Sequence, residues 1–140
     1  MCELLHTWLR GTGISKADRL YAASLVTAEA TVRTLLSASP DRVCLVAMGD
    51  NGVQRTDEDE LRAIHLRNRL ECRPADADAV RRLILAGGKV VRFHNPNRPH
   101  LHPEDVEIAL DINRYDFAVK VNSRMATGRS TREMMIPRLP

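Results

Sequence analysis

The segment RVCLVAMG, 42–49, constrains the fold of this chain more than any other. It is a nearly continuous apolar run. Ser39-Pro40-Asp41 breaks the chain before it and Asp50-Asn51-Gly52 turns it afterwards. Unbroken apolarity over this length suits a strand covered on both faces, as in a parallel sheet. Asp-Asn-Gly is strong turn chemistry. The next stretch, TDEDELRAIHLRNRLE at 56–71, reads as a helix. Its apolar stripe is not clean, because Asn68 interrupts the row of Leu61, Ile64 and His65. The helix therefore rests on its acidic start and helix-favouring residues.

The same alternation extends along the chain. RLYAASLV, 19–26, is a short apolar run bounded by charge, hence a buried strand. Ala28, Val32, Leu35 and Leu36 place one apolar face on a helix over 27–38, with Thr27 as its cap. A second helix over 75–88 ends at Gly87-Gly88. A short strand is expected from Lys89, followed by a Pro- and His-rich loop. A helix with Pro103 in its first turn covers 103–112. Tyr115, Phe117, Val119 and Val121 alternate as in a half-buried strand over 115–121. Strands alternating with helices predict an α/β fold, a three-layer α/β/α sandwich with a mainly parallel sheet. The expected organisation is one domain over 1–121 and a basic tail over 122–140.

Composition narrows the function classes. The 140 residues are 44% hydrophobic and 28% charged, an ordinary balance for a water-exposed domain. No apolar run is long enough to cross a bilayer. The start, MCELLHTWLR, lacks the basic opening of a signal peptide, so a cytoplasmic protein is expected. Three widely spaced cysteines, Cys2, Cys44 and Cys72, make no metal pattern and are expected as reduced thiols. The net charge is +3, and the tail from Lys120 onward is basic. Aromatic residues are only 4% of the chain, too few for base-stacking platforms, so a solvated tail is favoured over nucleic-acid binding.

The four acids Asp57, Glu58, Asp59 and Glu60 admit two readings. In the first, Thr56 is the N-cap, Asp59 reaches back as in a capping box, and the others complement the helix dipole. In the second, one or two of them join Asp50 as hard oxygen ligands for Mg²⁺. Asp50 stands beyond the carboxyl end of the apolar strand, where open α/β sheets bind ligands. Elsewhere, His94, His100 and His102 lie on a loop, without the further ligand that zinc wants. Arg92 and Arg98 suit a phosphate or sulfonate. Arg10-Gly11-Thr12-Gly13 is too short for a phosphate-binding loop. No G-x-S-x-G nucleophile motif occurs.

Three segments, in order, resemble the 2-phosphosulfolactate phosphatase family. They are ADRLYAASLVTAEATVRTL, RVCLVAMGDNGVQRTDEDELRAIHLRNRL and PHLHPEDVEIALDINRYDFAVKV, spanning about 19–121. The match is to the C-terminal half of that family. The resemblance implies an α/β/α fold and Mg²⁺-dependent hydrolysis of 2-phosphosulfolactate to sulfolactate and phosphate, a step of coenzyme M biosynthesis. It implies catalytic roles for Arg55, Glu58 and Asp59. Asp50, Asn51, Arg10 and Thr12 are expected on the substrate, and Asp50 and Glu58 on Mg²⁺. Two family motifs, an Asp-Val-x-Arg-Ala-Thr-Thr run and an Asn-Ser-Pro, do not occur here. A truncated member, weakly active or inactive alone, is therefore expected, completed by self-association or by a partner chain. The alternative is a non-catalytic anion-binding or interaction module.

Overall fold

The computed structural model describes residues 17–49 and 54–121 in full and residues 2–6 by their backbone. The first strand, β1 (Cys2–His6), lies between β2 (Arg19–Ala22) and β3 (Arg42–Val46) and runs parallel to both. The last strand, β4 (Val119–Val121), pairs antiparallel with β2, through Leu20 with Val121 and Ala22 with Val119. The order is β3-β1-β2-β4.

The expected three-layer sandwich with a mainly parallel sheet is not formed. The fold is mixed and about 50% helix. Its sheet is small, of mixed direction, and made of strands three to five residues long. The one ladder with side chains described on both strands is the antiparallel pair β2–β4. The apolar run at 42–49 is not a central strand covered on both faces. It gives β3, which stands at the end of the strand order with residues 43–46 only half-buried. Unbroken apolarity marks a segment that can be buried; the strands available to flank it decide whether it is.

Helix α1 (Ala28–Ala38) turns Ala28, Thr31, Val32 and Leu35 inward, the i, i+3, i+4, i+7 positions of one face. A 3-10 turn, Leu25–Thr27, leads into it where a strand was expected to continue. Thr27 does not cap the helix with its side chain. Its hydroxyl lies 3.0 Å from Ser24 Oγ, while its carbonyl accepts from the buried Thr31 Oγ1 at 2.8 Å. Ser39, left-handed at φ 45°, ends the helix by donating its N–H to the Leu36 carbonyl.

Helices α2 (Asp57–Leu70), α3 (Ala77–Ala86) and α4 (Pro103–Ala109) follow β3 among the described residues. Asp76 caps α3, its carboxylate accepting from the Ala79 N–H at 2.9 Å. Two further expectations fail locally. Residues 89–94 form a 3-10 helix instead of a strand, entered through Gly88 at φ 77°. Tyr115 to Phe117 are not strand either, because the backbone before β4 bonds elsewhere. Asn113 N–H donates to the Leu25 carbonyl and Tyr115 N–H to the Val26 carbonyl.

Two apolar clusters result. Tyr21, Val32, Leu35, Leu66 and Ala118 pack α1 and α2 on the sheet. Leu25, Val80, Val106 and Leu110 join α3, α4 and the 3-10 turn into a second cluster, with Ile84, Val90 and Phe93 partly buried against it.

Candidate functional site

The start of α2 is organised by geometry that consecutive acids cannot escape. Successive helical residues are rotated by about 100°, so Asp57, Glu58, Asp59 and Glu60 point in four directions. Asp59 turns toward the end of β3. Its Oδ2 accepts from the Gly49 N–H at 2.8 Å and its Oδ1 accepts from Arg62 Nη1 at 2.8 Å. It therefore does not close a capping box on Thr56. Thr56 has the extended backbone of an N-cap but makes no side-chain cap bond, and its buried hydroxyl has no partner among the described residues. Glu60 pairs with Arg55. That hydrogen bond holds the Glu60 carboxyl below its ordinary range and raises the Arg55 guanidinium. Glu58 faces Lys89 Nζ across 3.8 Å.

Glu58 and Asp57 belong to a cleft of about 140 Å³ between the start of α2, the end of α3, the 3-10 helix Lys89–His94 and α4. Its floor is the second apolar cluster: Leu25, Ile84, Val90, Phe93, Val106 and Leu110. Its rim is charged, with Asp57, Glu58 and Asp105 against Arg62, Lys89 and Arg92. The left-handed turn at Gly88 brings Lys89 back beside Glu58. Arg81 fixes the opposite wall, donating from Nε and Nη2 to the Leu110 carbonyl at 3.1 and 3.0 Å.

Most of the rim charge is compensated. Glu58 has Lys89, and Arg62 has Asp59. Asp105 accepts from the His102 N–H at 3.2 Å. Asp57 sits in the first turn of α2, where the helix dipole favours an anion. Arg92 lies over the Phe93 ring, 5.2 Å from its centroid, and forms no ion pair among the described residues.

Of the expected site residues, Glu58 lines the cleft, whereas Asp59, bonded to Gly49 and Arg62, and Arg55, paired with Glu60, do not. Asp50, Asn51, Arg10 and Thr12 lie outside the described residues. Arg92 lines the cleft and Arg98 does not. His94, His100 and His102 are exposed, and among the described residues no three His, Cys, Asp or Glu side chains are grouped as a metal site. Mg²⁺ can be held by one or two carboxylates when substrate phosphate supplies further oxygens. Asp57 and Glu58 meet that minimum; Asp59, with both oxygens engaged, does not. Sequence reasoning missed Arg62 and Lys89 as cleft residues. The signal for Lys89 was its place directly after Gly87-Gly88, where the chain must turn back.

No helix among the described residues is long and apolar enough to cross a membrane. Comparison with protein-family models, with curated proteins and with solved structures finds no match.

Proposed function

We propose that this chain is a binding domain for a small phosphorylated or sulfonated acid, held in the cleft at the start of α2. The observation that carries the reading is the Arg92 guanidinium, unpaired among the described residues at the mouth of an apolar-floored cleft. A guanidinium matches the oxygens of phosphate and sulfonate with paired N–H donors. Lys89, held only loosely by Glu58 at 3.8 Å, supplies a second positive charge. The resemblance to the 2-phosphosulfolactate phosphatase family names the same ligand class. Calorimetric titration with 2-phosphosulfolactate and sulfolactate tests it. Saturable binding, weakened at least tenfold in Arg92→Ala, is expected; the absence of binding would refute it.

A second reading, Mg²⁺-dependent hydrolysis of that ligand, is favoured by Asp57 and Glu58 standing together on the cleft. These two carboxylates would hold the ion. When bound, Mg²⁺ supplies neutralisation of phosphoryl oxygens and a more acidic water. Arg92 and Lys89 would hold the phosphoryl group in place. Phosphate release that requires Mg²⁺ and is lost in Glu58→Gln supports this reading; binding without release leaves the first.

A further inference from the structure

The cleft carries more apolar surface than a wholly polar three-carbon acid can use. Its floor is Leu25, Ile84, Val90, Phe93, Val106 and Leu110, and its volume is about 140 Å³. Apolar cavities of roughly 150 Å³ hold guests the size of benzene. The charge arrangement is one-sided in its demand. Glu58, Asp105 and Arg62 have protein partners, and Asp57 has the helix start, which among the described residues leaves Arg92, with the loosely held Lys89, as the rim charge that a ligand would answer. Arg92, which forms no ion pair among the described residues, sits over the Phe93 ring, so this cation and the aromatic floor are adjacent.

We propose that the cleft selects an amphipathic acid, with an aromatic or branched apolar body on Phe93, Val106 and Leu110 and its anionic group at Arg92. This rests on the small-acid reading above and narrows its ligand class. Removing apolar ligand surface from water favours binding in proportion to the area covered, whereas a methyl-sized body would leave most of the floor uncovered.

The test uses three probes on the full chain: phenylphosphonate, methylphosphonate and 2-phosphosulfolactate, each titrated by calorimetry. Phenylphosphonate is expected to bind at least tenfold more tightly than the other two. Ala109, exposed on α4 and lining the cleft, provides an occluding variant that leaves the core alone. Ala109→Leu is expected to reduce phenylphosphonate affinity at least fivefold with an unchanged far-ultraviolet spectrum. Equal affinity for all three probes, or a phenylphosphonate affinity unchanged in Ala109→Leu, would overturn the amphipathic selection while leaving the small-acid reading intact. No binding of any probe would remove both.

Discussion

The backbone amide of Gly49 donates to Asp59 Oδ2 at 2.8 Å, tying the chain just after β3 to the first turn of α2. Gly49 is left-handed at φ 67°, and a Cβ there would fall 1.9 Å from the Gln54 carbonyl oxygen. The strand-to-helix connection therefore needs glycine at one end and a carboxylate at the other. Asp59→Ala removes a charge-assisted bond and leaves Arg62 unpaired, and should cost about 1–3 kcal/mol in urea denaturation. Gly49→Ala should cost more than about 1 kcal/mol, because both the backbone conformation and the backbone contact oppose it. A wild-type urea midpoint in both variants would show that this tie does not hold the connection.

Glu58 should behave differently from its neighbour. Glu58→Gln loses one favourable interaction with the helix dipole and a loose contact to Lys89, so its stability should change by at most about 1 kcal/mol. Freed from Glu58, Lys89 should raise the affinity for a phosphonate measured without Mg²⁺. An affinity that instead falls in the absence of Mg²⁺ would mean that Glu58 contacts the ligand by itself.

His65 makes stability depend on pH. It is 3% exposed, and Nδ1 has no hydrogen-bond partner among the described residues. Burial, then the Arg69 charge, lower its pKa from 6.5, with Glu29 opposing. A base with a depressed folded pKa takes up its proton more readily when unfolded. Its contribution is therefore complete above the unfolded value and is lost as pH falls through 6.5 toward the folded value. The urea midpoint should fall between about pH 7.5 and about pH 5.5, and the fall should be smaller in His65→Leu. Equal slopes for the two proteins would exclude His65 as the source.

Much of the local structure was legible in the sequence. The stripe of Ala28, Val32 and Leu35 marked α1 to within a residue, and the acids of 57–60 marked the start of α2. The architecture was not legible, because it depends on long-range backbone partners. Nothing near Tyr115 signals that its N–H goes to the Val26 carbonyl instead of a strand ladder. Lys89-Val90-Val91 has the β-branched look of a strand, yet the turn at Gly88 and the packing of Val90 and Phe93 make it 3-10 helix. Adjacency in sequence places Glu58 and Asp59 in one expected site with Asp50 and Arg55. Helical rotation sends Asp59 to Gly49 and Glu58 to the cleft, so only part of the expected site converges.

The central claim is that an anionic ligand is held at the start of α2 and the 3-10 helix Lys89–His94. The most direct measurement follows the backbone amides of the isotopically labelled chain while phenylphosphonate is added to about 10 mM, a range that detects even millimolar affinity. Saturable shifts at Asp57, Glu58 and residues 89–93, absent in Arg92→Ala, are the expected result. No saturable shift at those amides in the wild-type chain would contradict the account.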